Sequence, residues 1–270
     1  MHTKESLMHD LTAIGIDPED TLLVHSSMKA IGAVQGGADT VLDAFITHMK
    51  PGLLIFPTHT WERIGEDHTD YDPLTEPSCV GILSNLFRMR PGVIRSLHPT
   101  HSLTALGRDA EEFTRGEEQW DSPCSRGGCY GKLYDRKAKI LFLGCSLKRN
   151  TFLHGVEEWN DIPNRLAITC RPLVIWAPDG RVIPRPMHGH QSPAGDVSNN
   201  FDKMEDLFVR AGIARQGTIG DAKSTLCDAV GMADLTTFYL QRQPDLFADA
   251  NPIHENYEIR QDEGDTDVLS

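Results

Sequence analysis

The stretch NTFLHGVEEW, residues 150–159, sets one histidine three residues before one glutamate and four before another, beside an asparagine and a threonine. Residues three and four apart are neighbours on a helix, so a helix here puts His154, Glu157 and Glu158 on one face. A neutral imidazole removes a proton from an amine or a thiol near neutral pH. A carboxylate beside it fixes its tautomer and stabilises the imidazolium that forms. These residue types suit a general base with its orienting acid. They also suit half of a metal site, and from this stretch alone an ordinary polar helix start is the plainer reading.

Other segments carry groups of the same kind. LLVHSS closes an apolar run with His25, Ser26 and Ser27, which is either a hydroxyl-bearing site at a strand exit or a capping loop. No G-x-S-x-G elbow surrounds those serines. RSLHPTHSLTALG holds His98 and His101, but Pro99 opposes a helix through them. MHGHQ adds His188 and His190. No H-E-x-x-H and no structural Cys–His zinc spacing is present, so no metal is expected. DSPCSRGGCYGKLY is glycine-rich, and backbone N–H groups in such a loop cradle phosphates, although it lacks Walker A spacing. Cys124 or Cys129 beside a histidine would be a nucleophile, on a weak signal. WERIGEDHTDYDP gathers Glu62, Glu66, Asp67, Asp70 and Asp72, either a polyamine-binding loop or a solvated acidic one.

Composition narrows the classes. The 270 residues include 39 acidic and 26 basic side chains, a formal net charge of −13. A nucleic-acid binder needs the opposite balance. An acidic protein attracts small cations instead. Part of the charge sits in the tail HENYEIRQDEGDTDVLS, read as a flexible end from about residue 255. None of the six cysteines forms a C-x-x-C pair, which fits free thiols in a reducing compartment. The N-terminal segment is charged and amphipathic rather than secretory, and no apolar run approaches the ~20 residues of a membrane span. The expectation is a soluble cytoplasmic protein without membrane partners, its oligomeric state left open.

The elements that must position these groups follow an α/β pattern. Residues 3–15 read as a helix, 21–27 as a buried strand, 36–49 as a helix with Asp39 as its cap, and 53–56 as a second buried strand. That strand–helix–strand unit marks a layered fold with a largely parallel sheet. Residues 81–89 read as a helix, 102–107 as a short strand, and 139–144 as a third apolar strand. Residues 173–183 form a hairpin turning at Asp179-Gly180. Residues 201–212 are a helix closed by Gly212, and residues 221–242 are mostly helical. The whole of 1–270 is read as one domain. Polar residues cluster just after the apolar strands, at 25–27, 58–60 and 145–154. In open α/β sheets ligands bind beyond the carboxyl ends of the strands, so these clusters are expected to meet in one cleft.

Taken in order, LLVHSSMKAIGAVQGGADTVLDAF, GLLIFPTHT, RSLHPTHSLTALG and DSPCSRGGCYGKLYDRKAKILFLGCSLKRNTFLHGVEE closely resemble the aminoglycoside 3-N-acetyltransferase family, across roughly residues 21–231. The ordered set is specific although no single motif is. The resemblance implies a three-layer α/β/α sandwich with a mostly parallel central sheet and a C-terminal hairpin and helical portion. It implies acetyl transfer from acetyl-CoA to an amine, typically the 3-amino group of a 2-deoxystreptamine antibiotic, with no metal cofactor. His154 corresponds to the base and Glu157 to its orienting carboxylate. His25, Ser26, Ser27, Ser102, Ser122, Arg126, Lys132 and Thr151 fall on the acetyl-CoA side, with Lys148 and Arg149 as further cations for its phosphates. Trp61, Asp67, Asp70 and Glu158 fall on the acceptor side. The segment SPCSRGGCYGKL is longer and richer in cysteine than the family's SPLGKL form, and HGVEEWNDIP replaces a more apolar continuation. These departures bear on the acceptor, so an amino sugar or an aminophosphonate is the alternative. A metal- or cysteine-dependent hydrolase and a non-catalytic CoA-binding protein are the readings from other classes.

Overall fold

The structure, a computed structural model, describes residues 1–253; the acidic stretch from about 255 lies outside the described residues. In chain order the elements are α1 (Lys4–Ala13), β1 (Thr21–Ser26), α2 (Gly37–His48), β2 (Leu53–Pro57), β3 (Asp70–Tyr71), α3 (Ile82–Phe87), β4 (Ile94–Arg95), β5 (Leu103–Gly107) and α4 (Ala110–Thr114). They continue as α5 (Cys129–Asp135), β6 (Lys139–Leu143), α6 (Thr151–Trp159), β7 (Arg171–Trp176), β8 (Val182–Met187), α7 (Glu205–Arg210), β9 (Ala214–Ile219), β10 (Ala222–Asp228) and α8 (Ala229–Leu240).

The main sheet has seven strands in the order β4-β5-β2-β1-β6-β10-β9. Its centre, β2-β1-β6, is parallel, and both flanks are antiparallel. The central strands are continuous apolar runs because both of their faces are covered. Alternation divides them. Leu23, Leu53, Ile55, Ile140 and Phe142 pack with Phe113, Tyr130, Phe152 and Met232 on the side of α4, α5, α6 and α8. Leu22, Val24, Leu54, Phe56, Leu141 and Leu143 pack with Leu7, Leu11, Phe45 and Phe87 on the side of α1, α2 and α3. The result is the three-layer sandwich. A second sheet, β3-β7-β8, carries the expected hairpin, with Gly180 at φ +87° in its turn, around a small core of Ile64, Tyr71, Leu173, Ile175 and Met187.

Two expectations are corrected. Helix α2 is capped by Gly36 in the left-handed conformation, not by Asp39, which lies within the first turn and pairs with Arg90 at 2.8 Å. Residues 221–242 are not one helix: Ala222–Asp228 is a strand paired antiparallel with β6, and the helix begins only at Ala229, where Asp228 caps it. Gly212 does close α7, since Gly212 N–H reaches Val209 O and Ile213 N–H reaches Phe208 O. No helix among the described residues is long and apolar enough to cross a membrane.

Candidate active site

The polypeptide leaves β6, makes a short 3-10 turn at Leu147–Arg149, and enters α6 with Asn150 at its N-cap position. Phe152, Leu153 and Val156 bury one face of α6 in the core, and Gly155 packs closely against Cys124 and Trp159. With that face anchored, His154, Glu157 and Glu158 meet His190, Arg165 and Ser122. The i, i+3 spacing brings His154 Nδ1 to 3.3 Å from Glu157 Oε2. A carboxylate only accepts, so Nδ1 is the donor in this contact. The other Glu157 oxygen accepts from Arg165 Nε at 2.6 Å, with the two side chains 1 % and 5 % exposed. Glu157 is thus fixed on both sides. His154 stays 17 % exposed and can meet a substrate.

Glu158 faces a separate set of partners. Ser122 Oγ donates to its Oε2 at 2.6 Å, Cys124 N–H donates to its Oε1 at 2.9 Å, and His190 Nε2 lies 2.7 Å from Oε1. Burial pushes the Glu158 carboxyl up to about 7. Burial also pushes His190 well below the ordinary histidine range, with His154 adding to the effect. Both directions favour a neutral pair that shares one proton.

The loops beyond the strands do meet. His154 stacks on His190 at 4.4 Å between centroids, His190 contacts His101 at 5.2 Å, and His101 contacts His59 at 4.8 Å. His59 is bonded to Tyr130 Oη at 2.7 Å. Burial holds His59 and His101 well below their ordinary values, and takes His25, stacked on Phe142, to about 3. These imidazoles are neutral packing groups around the one that is open. His98 ties the wall together. Its Nδ1 accepts from the backbone of Thr100 and His101, and its Nε2 donates to Ser122 O.

The arrangement is an imidazole paired with a carboxylate that a buried guanidinium anchors. A sequence model described as aminoglycoside 3-N-acetyltransferase matches residues 23–241. The chain belongs to the aminoglycoside 3-N-acetyltransferase family. Aminoglycoside N(3)-acetyltransferase VII of Streptomyces paromomycinus is 29% identical over 269 residues, covering 89% of this chain and 92% of that one. Aminoglycoside N(3)-acetyltransferase IX of Micromonospora chalcea is 30% identical over 254 residues, covering 84% and 89%. Among solved structures, AAC-IIIb in its binary complex with CoASH superposes with a TM-score of 0.78 at 28% identity, covering 90% of this chain and 97% of that one.

Within this aminoglycoside 3-N-acetyltransferase family member, His154 and Glu157 pair across one helical turn, while Ser122 and Glu158, expected on the cofactor and acceptor sides, bond each other. Thr151 opens α6, and its carbonyl receives the Cys124 thiol at 3.6 Å. Ser26 and Ser27 are half-buried at the end of β1, where Ser27 N–H donates to Leu143 O. Other expected cofactor-side groups are engaged elsewhere. Ser102 is fully buried, donating to Thr58 O at 2.8 Å and accepting from Arg95. Lys132 Nζ caps α4 through the carbonyls of Phe113 and Arg115 at 2.9 and 2.7 Å. Arg126 pairs with Asp135 at 2.6 Å and lies over Tyr134 and Trp159. Lys148 and Arg149 are exposed just before α6, Lys148 within 3.9 Å of Asp202. Trp61 and Asp67 are exposed between β2 and β3, and Asp70 accepts the Trp176 indole N–H at 2.7 Å on the small sheet. Arg165 and His190 are the important additions. Nothing local marks Arg165, and His190 is visible in sequence only as one of two histidines in MHGHQ.

Proposed function

We propose that this chain transfers the acetyl group of acetyl-CoA to the 3-amino group of a 2-deoxystreptamine aminoglycoside, and so confers resistance to it. His154 Nε2 takes the proton as the amine nitrogen attacks the thioester carbonyl. The new C–N bond forms, the C–S bond breaks, and CoA leaves as a thiol once the thiolate is protonated. Glu157 orients His154 and stabilises the imidazolium, and Arg165 holds Glu157. The observation that carries this reading is the Glu157 carboxylate, held between His154 Nδ1 at 3.3 Å and Arg165 Nε at 2.6 Å. Family membership and a relative solved with CoASH support the acyl donor.

Ser26, Ser27 and the 122–128 loop are the proposed contacts for acetyl-CoA, with Lys148 and Arg149 meeting its phosphates. Trp61, Asp67 and Asp70 are proposed to face the cationic acceptor, and the net charge of −13 favours its approach. Glu158 is held in its own hydrogen-bonded pair, which removes one negative charge from the acceptor side and favours an acceptor of lower charge as the second reading. The test is release of CoA thiol from acetyl-CoA across a panel of aminoglycosides and simpler amino sugars, without and with His154→Ala. The expected result is turnover with several 2-deoxystreptamine compounds, lost in His154→Ala while acetyl-CoA still binds. Retained turnover in that variant removes His154 from the mechanism. Turnover with amino sugars alone moves the acceptor to the second reading.

A further inference from the structure

Cys124, Glu158 and His190 bring a sulfur, a carboxylate oxygen and an imidazole nitrogen within 4.8 Å of one another. They come from three separate pieces of chain: the loop before α5, helix α6, and the segment after β8. Cys124 is 1 % exposed, and the Glu158 and His190 side chains are 4 % and 19 % exposed. Thiolate, carboxylate and imidazole are the ligand types of zinc, and three protein ligands leave the fourth tetrahedral position for water. Bonds of about 2.0–2.3 Å place tetrahedral donors roughly 3.3–3.8 Å apart. Side-chain rotation of about 1 Å therefore closes this triad around an ion. The outer shell already exists. Ser122 Oγ and Cys124 N–H hold the carboxylate, and Ser125 Oγ lies 2.7 Å from Ser122 Oγ.

We propose that Cys124, Glu158 and His190 form a zinc-binding site that inhibits the enzyme. On loading, the ion replaces the thiol proton and the proton shared by Glu158 and His190. Both protons pass to solvent and no electron moves. The ion is no cofactor of acetyl transfer. His190 stacks on His154 at 4.4 Å. Closing on the ion turns His190, so His154 loses the ring it is stacked against and with it its position. The inhibition rests on the proposed role of His154; the binding does not.

The two halves are tested separately on the full-length, fully reduced chain. Co2+ is the spectroscopic probe. One equivalent should give a sulfur-to-cobalt charge-transfer band and tetrahedral visible bands, both erased by Zn2+. Cys124→Ser and Cys124→Ala should each abolish the charge-transfer band with unchanged far-ultraviolet circular dichroism. His190→Gln should weaken Zn2+ binding at least about tenfold. A second thiol–imidazole contact, Cys170 Sγ to His188 Nε2 at 3.3 Å, supplies the control, and Cys170→Ser should leave the band intact. No band in the parent, or a band lost in Cys170→Ser and kept in Cys124→Ser, overturns the site. For the second half, Zn2+ should lower parent turnover at least about tenfold through the displaced His154, with the ratio returning to about one in Cys124→Ser. A loaded enzyme with undiminished turnover overturns the inhibition. A parent with no turnover before metal is added counts against the proposed function instead, and the cobalt spectrum still decides the site.

Discussion

Replacing Arg165 by methionine separates positioning from packing in the proposed His154 relay. The guanidinium bonds Glu157 at 2.6 Å with both side chains almost wholly buried. Removing one partner of a buried pair costs about 3–5 kcal/mol, because the other charge is left uncompensated. At roughly 2–4 °C per kcal/mol for a chain near this size, the expected drop in Tm is roughly 6–20 °C. The stranded carboxylate is expected to take up a proton rather than stay charged in that environment. It then no longer orients His154 Nδ1–H. A triad histidine deprived of its carboxylate loses about 10⁴ in kcat. With the side chain still in place, about 10²–10⁴ is expected here, with little change in the KM for acetyl-CoA. Thermal melts and steady-state thiol release from about pH 6 to 9 provide the assay. Activity of the variant should recover in part toward high pH as the carboxylate ionises again. Arg165→Lys, which restores the charge but not the planar donor, should be intermediate. A variant that melts early yet keeps the parent kcat and pH profile would make Arg165 a packing residue and refute the relay.

Other perturbations test the surrounding frame. Between its ordinary 4.5 and about 7, Glu158 holds a proton in the folded chain that the unfolded chain has released. Its contribution to stability therefore falls as pH rises through that window, by about 3 kcal/mol in all. Glu158→Gln should flatten that decline in denaturant midpoints, while His190, held neutral by burial, keeps its opposite slope below 6.5. Lys132→Met should cost about 1–3 kcal/mol through the uncapped carbonyls of α4 and leave the acetyl-CoA KM unchanged, as urea titration and kinetics will show. Gly131→Ala should cost about 3 kcal/mol or more, because a Cβ there meets the Arg126 carbonyl; soluble yield and Tm check it.

Much of this site is legible in the chain because its spacing is local. His154 and Glu157 lie one turn apart, so forming the helix is enough to pair them. The three apolar strands announce the parallel centre, and the polar residues after them announce where the histidines gather. What the sequence hides is non-local. Arg165 reaches Glu157 from an irregular segment whose path only the packed fold determines. His190 reaches Glu158 and His154 from beyond a hairpin, and its type alone does not distinguish it from His188. The misread segment at 221–242 is instructive. Ala222, Lys223 and Leu226 are good helix formers, and pairing with β6 outweighs that propensity. A signal was present nevertheless: β9 and β10 are joined by just Gly220-Asp221, with Gly220 at φ +58°, a two-residue hairpin loop. Lys132 and Ser102 show the converse, polar residues in family-like motifs whose bonding atoms serve the scaffold.

The strand order carries a consequence in time. β1 lies between β2 and β6, so one edge of Thr21–Ser26 finds its partner soon after synthesis, in Leu53–Pro57. The other edge must wait for Lys139–Leu143, more than a hundred residues later. At ribosomal speeds that wait is on the order of ten seconds. Throughout it, an apolar strand keeps an open row of N–H and C=O groups, the template on which nascent chains join one another. Residues 21–26 are therefore the place where shielding of the nascent chain matters until β6 emerges.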